Sequence, residues 1–286
     1  GSSAERGVRV CARKFFARVP LRLGAVGVNC AGMDDDAPKL RMAAQNSAAH
    51  LARELEREQR TVNREREFGL EQSLGNFRVG SVKALNAVPL TRGIEDQVVY
   101  AQPSKLAEML RRDELDAALV SIVEPLLNDR YDILDGIAVA SLGEVKSVFL
   151  AHRLPLEQAK VVFCDTASLT SVTLLKVLLA ERGLKPEFKP LENYGAAKDK
   201  DFVLLIGDAA LDFALSPHEH EIFDLGAAWF ELTKLPFVYA VWSLRRGVAN
   251  RELRRQLQEA KDFGMDTLDH IISSRTEYTE EFRKDY

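Results

Sequence analysis

No two cysteines in the chain stand close enough to act together: Cys11, Cys30 and Cys164 are scattered over 286 residues, with no C-x-x-C pair among them. That spacing indicates neither a disulfide framework nor a zinc site, and a reducing, cytoplasmic setting fits it best. No apolar run approaches the roughly 18–20 residues that a membrane-spanning helix needs. The stretch after Arg22 is too broken and glycine-rich to read as the apolar region of a secretory signal. Excess positive charge is missing as well. Residues 77–286 hold 26 Lys and Arg against 33 Asp and Glu, while residues 1–76 hold 13 against 10, so the body is acidic and nucleic acid is not an expected partner. Histidine is scarce, and the one close pair, His218 and His220, stands i to i+2 in a proline-containing loop without a third ligand. Loop polarity explains it better than a metal does. No carboxylate pair and no Ser/His/Asp order presents itself as a base.

With 46% apolar and 29% charged residues, the chain is long enough to bury one large core or two modest ones. Residues 1–76 read as a non-catalytic N-terminal extension, partly helical or disordered, or as the result of a start placed too far upstream, with Met33 and Met42 as candidate starts. Within it, residues 47–72 carry Glu/Arg pairs at helical spacing and few apolar anchors, which predicts a solvated helix.

From Phe77 onward strand and helix alternate. Strands are expected at Phe77–Val82, Val98–Tyr100, Leu115–Val120, Ile137–Ala140, Val145–His152, Lys160–Cys164, Phe202–Ile206 and Phe237–Trp242. Helices are expected from Asn86 to Gly93 with Pro89 in the first turn, from Ser104 to Arg112 behind a serine cap, from Ser168 to Arg182, and over 250–283 with a break near Gly264. This rhythm implies an α/β fold with largely parallel sheets and a ligand at strand C-terminal ends. Val145–His152 and Phe237–Trp242 flank a self-contained block and read as crossings. Residues 77–152 with 237–286 would form lobe one and residues 153–236 lobe two, with a ligand cleft between them and hinge closure around the ligand.

Five apolar strands end in small polar or glycine turns, around Ser81–Asn86, Ser121, Gly143–Ser147, Asp165–Ser171 and Gly207–Asp208. Converging strand ends with free backbone N–H groups, hydroxyls and one amide suit a small carboxylate-bearing ligand, because oriented neutral donors hold anions without a buried counter-charge. The candidate residues are Asn86 and Ser147, with Ser121, Ser168, Thr170, Ser171, Gly207 and Asp208 around them. Each has a blander role open to it. Asn86 and Ser168 precede helices as caps would, Asp208 fits a lobe-closing bond to a backbone amide, Glu124 a surface ion pair, Trp229 and Trp242 the core, and Lys83 and Lys146 simple solvation.

The run 78–90 with Asn86 before Ala-Val-Pro-Leu, Ser141-x-Gly-x-Val-x-Ser147, the turn 165–171, Ile206-Gly-Asp-Ala-Ala-Leu211, and 224–229 leading into 235–242 occur in an order that resembles chorismate dehydratase, the first enzyme of the futalosine route to menaquinone. The resemblance spans nearly all of 77–286. It implies a two-lobed periplasmic-binding-protein type II fold, no metal or organic cofactor, and conversion of chorismate to 3-(1-carboxyvinyloxy)benzoate and water. It also implies roles in substrate binding or catalysis for Asn86 and Ser147, and matches the hydroxyl-rich turn to Ser168, Thr170 and Ser171. Where family members often carry Thr-Ser-Arg-Thr-Ser, this chain has Ala-Ser-Leu-Thr-Ser at 167–171. The expected chemistry is that the substrate's own enolpyruvyl carboxylate takes the ring hydrogen while Asn86 positions it. A transporter's solute-binding protein shares the fold but is normally exported. The related 1,4-dihydroxy-6-naphthoate synthase carries an Asn-Asp-Thr segment near its first strand that this chain lacks.

Overall fold

The computed structural model describes residues 37–71, 73–164, 169–248 and 251–286, with side chains from residue 48 onward. Cys11 and Cys30, the sequence before residue 37, and the turn at 165–168 with Ser168 lie outside the described residues. The first compact unit, residues 1–58, is described by part of helix α1 (Ala37–Leu70), and residues 59–286 make the second. Ala, Leu, Glu and Arg sustain α1 by propensity, and its side chains over 48–60 are exposed, with His50 3.4 Å from Glu54 one turn on. The solvated helix expected over 47–72 is thus present and starts earlier. The expected end of the extension at residue 76 moves inward, because Leu70 and Leu74 are buried with Phe263 in the main core.

Thereafter the chain runs β1 (Val79–Ser81), a 3-10 turn over Leu85–Thr91, β2 (Val98–Tyr100), α2 (Pro103–Arg111), β3 (Ala117–Ser121), α3 (Val123–Leu127), β4 (Tyr131–Ser141), β5 (Val148–His152), β6 (Val161–Cys164), α4 (Leu169–Glu181), β7 (Glu187–Pro190), β8 (Phe202–Ile206), α5 (Gly207–Leu215), β9 (Glu221–Asp224), α6 (Leu225–Thr233), β10 (Phe237–Arg245), α7 (Arg251–Asp266), α8 (Leu268–Ser274) and α9 (Glu280–Asp285). Two five-stranded sheets result, one ordered β2-β1-β3-β10-β4 and the other β7-β6-β8-β5-β9. This is a two-lobed α/β architecture, with each sheet covered on both faces. In β8, Phe202 and Leu204 enter the core shared with α4 and α6, while Val203 and Leu205 enter the one shared with α5. That double burial is why the strand reads as an unbroken apolar run. No helix among the described residues is long and apolar enough to cross a membrane.

Three expectations are corrected here. The sheets are mixed rather than largely parallel, since β10 runs antiparallel to β3 and β4, and β5 antiparallel to β8 and β9. Val148–His152 pairs inside the second sheet, so the boundary placed after His152 falls in the turn 142–147 before it. Helix α2 opens on Pro103 at its first position with Gln102 as an uncapped N-cap, because proline's fixed φ starts a helix without a serine's hydrogen bond.

The helical break expected near Gly264 is present, just after that residue. Helix α7 runs through it to Asp266, and the break follows at Thr267, whose hydroxyl donates to Phe263 O at 2.7 Å. The glycine is there for proximity: a Cβ on it would come under 3.0 Å from the Cα, C and O of Pro89. Helix α7 thereby packs tightly on the 3-10 turn that carries Asn86. Gly264→Ala is expected to lower stability by about 1–3 kcal/mol through this backbone clash, read as a lower urea midpoint with unchanged slope. A midpoint at or above that of the unaltered chain would show that the contact yields without cost.

Candidate functional site

The cleft between the two sheets encloses a cavity of about 690 Å³, open solvent included, lined from both lobes. Asn86, Ser121, Ser147, Ser171 and Gly207 all face it. Five of the eight residues nominated from sequence therefore share one hollow. Around them stand Val82, Leu119, Val145, Ile206 and Tyr239, and among the described residues none that lines it is Asp, Glu, His, Lys or Arg. Helices α2 and α5 both begin at this cleft without a side-chain cap, which leaves the positive ends of their dipoles turned to it. The electrostatics favour an anion held by fixed neutral dipoles.

Two nominated residues do something else. Thr170 is 2% exposed and absent from the lining; its hydroxyl bonds the Ser121 hydroxyl and donates to Tyr239 O at 3.1 Å. Thr170 belongs to the second lobe and its two partners to the first, so it is a clasp that fixes Ser121 rather than a donor into the cavity. Asp208 lines an adjoining space at the mouth with Lys83, Tyr100 and Gln102. Its carboxylate accepts from the Leu85 N–H at 3.4 Å, a second bond between lobes, as the lobe-closing reading anticipates. Burial pushes the Asp208 pKa up, only partly offset by that bond.

The other modest readings divide: Lys146 pairs with Asp285 and Lys83 lies over the Tyr100 ring, so neither is merely solvated, while Glu124, His220 and the tryptophans are structural. Glu124 pairs with Arg111 at 3.2 Å. His220 bonds Lys200 O through Nε2 at 2.8 Å, burial lowers its pKa, and both histidine rings lie against Phe213. Among the described residues no group of three or more potential ligands gathers to hold a metal. Trp242 is fully buried, and Trp229 half-buried with Nε1 donating to Pro236 O.

Two residues at the site escape a reading by sequence. The first is Asp224, which caps α6 through Ala227 N–H at 2.9 Å and also accepts from the N–H groups of Val145 (3.1 Å) and Lys146 (2.8 Å). One carboxylate thus holds the crossing turn in shape, with Lys146 in the left-handed region at φ 61° and Ser147 1% exposed beside it. An acidic residue just ahead of Leu-Gly-Ala-Ala is a cap signal, but nothing in its own neighbourhood points to a turn nearly eighty residues earlier. The second is Tyr286, whose hydroxyl donates to Ser147 Oγ at 2.9 Å. Tyr239 closes the floor, its hydroxyl 3.2 Å from Ser141 Oγ and its pKa pushed up to about 12, chiefly by burial.

Asp224→Ala removes the acceptor from these N–H groups, each such bond to a carboxylate being worth about 1.5–3 kcal/mol. Amide exchange at residues 145–147 is expected to quicken about tenfold or more by mass spectrometry, with β1–β3 unchanged. Unaltered protection there would mean that the turn holds itself.

Comparison with known proteins bears on the whole body of the chain. A family model described as menaquinone biosynthesis matches residues 77–286. A protein named chorismate dehydratase from Thermus thermophilus is 36% identical over 219 residues, which is 69% of this chain and 81% of that protein. One of the same name from Campylobacter jejuni is 32% identical over 161 residues, 56% of this chain and 59% of that protein. In backbone the chain is similar to the crystal structure of protein AF1704 from Archaeoglobus fulgidus, with a TM-score of 0.58 at 21% identity, covering 73% of this chain and 86% of that one.

Proposed function

This chain belongs to the menaquinone biosynthesis family, and on that premise we propose that its cleft takes chorismate and removes water from it, leaving 3-(1-carboxyvinyloxy)benzoate, as a carbon–oxygen lyase of the hydro-lyase class. The observation that carries the reading is the cavity itself: hydroxyls and an amide from both lobes converge on it, and no carboxylate, imidazole or amine lines it among the described residues. Chorismate brings two carboxylates of its own. Loss of the ring hydrogen beside the enolpyruvyl ether spreads negative charge through the diene to the ring carboxylate. Departure of the neighbouring hydroxyl then makes the ring aromatic.

A cleft whose described lining offers no base suits a substrate that supplies one. The enolpyruvyl carboxylate takes the ring hydrogen, Asn86 positions that carboxylate, and the proton leaves with the hydroxyl as water. Ser147, standing beside Asn86 in the cavity, holds an oxygen of the same group. Ser121 and Ser171 hold the ring carboxylate from opposite lobes, with Ser168 assigned to the same group by its place in the motif. Thr170 acts through Ser121, and Gly207 and Asp208 shape the entrance. Preorganised donors aimed at growing charge are a large term in such reactions, one donor being worth about 10²–10³ in kcat. A cytoplasmic location follows, since a biosynthetic enzyme works where its substrate is made.

Purified protein incubated with chorismate is expected to yield an aromatic product lighter by one water in mass spectrometry. Recovery of unchanged chorismate would end this reading. Asn86→Ala is expected to lower kcat by about 10²–10³ with the fold intact, and turnover retained within a few-fold would remove Asn86 from the role given to it.

A further inference from the structure

Past α8 the chain crosses from one lobe to the other. Arg283 fastens the segment to the first lobe's helices, with Nε donating to Ile272 O at 2.8 Å. Tyr278 reaches the second lobe, its hydroxyl donating to Asp212 Oδ1 at 2.9 Å on α5. Asp285 pairs with Lys146 in the crossing turn. Phe282 lies against Tyr278 on one side and stacks on Tyr286 on the other, with the latter rings 7° from parallel at 6.0 Å. The segment 275–286 is thus a strap anchored at both ends of the cleft.

The strap brings one hydroxyl up behind a lining side chain of the site. Tyr286 Oη donates to Ser147 Oγ, and the Asn86 side chain lies close to the same phenol. Burial, foremost, keeps that phenol protonated. Yet Tyr286 is not among the residues lining the remaining cavity, so it stands against two lining side chains without filling the space.

Resting on the chorismate reading, we infer that Tyr286 is a substrate-contacting residue, which turns its hydrogen from Ser147 to a carboxylate oxygen of the bound dianion. The exchange runs downhill in hydrogen-bond terms. A neutral serine oxygen is a weaker acceptor than a carboxylate, and a bond to an ionised oxygen is about twice as strong. Ser147 is released in the same movement, keeping Val145 O as an acceptor 3.4 Å away. No bond to carbon and no proton changes hands in this contact. Because the strap spans both lobes, it ties closure of the cleft to arrival of the last donor.

Tyr286→Phe keeps the stacked ring and deletes only the hydroxyl, so it separates donation from packing. With the full chain, Tyr286→Phe is expected to lower kcat/KM for chorismate about ten- to hundredfold and to weaken calorimetric binding of the product, 3-(1-carboxyvinyloxy)benzoate, at an unchanged melting temperature. Tyr286→Ala is expected to fall at least as far. If Tyr286→Phe matches the unaltered chain in both measurements, the hydroxyl does not touch the substrate and the proposal is wrong. If Tyr286→Ala gains in kcat/KM, the ring is an obstruction, which overturns it equally. An unaltered chain that neither turns over chorismate nor binds the product refutes the chorismate reading itself, and this inference with it.

Discussion

The carboxylate of Asp224 holds together the place where the chain passes from one sheet to the other. Six residues, 142–147, make that passage, and two of their N–H groups end on this one side chain. Gly226, one turn into the same helix, must stay bare because a Cβ there would come under 3.0 Å from Gly143 O, Ser141 Oγ and Tyr239 Oη. Ser147 faces the cavity because that turn is fixed, and β5 enters the second sheet from it in antiparallel register. A left-handed lysine at 146 is tolerated inside such a clamp, where the surrounding bonds over-determine the backbone.

Much of this architecture was legible because burial leaves a trace in composition. Phe202–Ile206 sits between two helix layers, and Val98–Tyr100 has its β-branched residues in parallel pairing; both were read to the residue. The strands β7 and β9 left no such trace, as they are the edges of the second sheet and carry Glu187, Lys189, Glu221 and Asp224 at half-exposed or exposed positions. Edge strands with charges resist pairing with other chains, and the same charges hide them from a hydrophobic pattern. The site divides similarly. Asn86, Ser121, Ser147, Ser171 and Gly207 lie at strand ends, at helix starts or in the crossing turn and could be found by position, whereas Tyr286 meets Ser147 from 139 residues away through a segment with no pattern of its own. Thr170 was found for its hydroxyl, but only packing reveals that the hydroxyl is spent on a clasp.

The two lobes meet across the cleft through modest bonds, among them Ser121 with Thr170, Thr170 with Tyr239 O, Leu85 N–H with Asp208 and the strap's Tyr278 with Asp212. Bonds between neutral partners contribute about 0.5–1.5 kcal/mol each. Contacts of this size hold a closed form without fixing it. A ligand that bridges donors of both lobes adds to the closed state alone, and only such differential contact shifts the balance between open and closed forms.

The absence of charged side chains among the described residues of the cavity lining has a kinetic sense. Chorismate and its dehydrated product are both dicarboxylates, so a lysine or arginine beside each carboxylate would bind the two alike and gain nothing in the barrier between them. Hydroxyls, an amide and helix N-termini attract the same anions less strongly, and their effect depends on where they point. Aimed at the oxygen on which delocalised charge accumulates as the ring hydrogen departs, they stabilise the transition state more than either end of the reaction. The acidic body reinforces this economy, since residues 77–286 carry seven more acidic than basic side chains and give a dianion no long-range pull into the cleft. Affinity therefore has to come from short, directed bonds made after entry, and these are the bonds that distinguish a reacting substrate from a departing product.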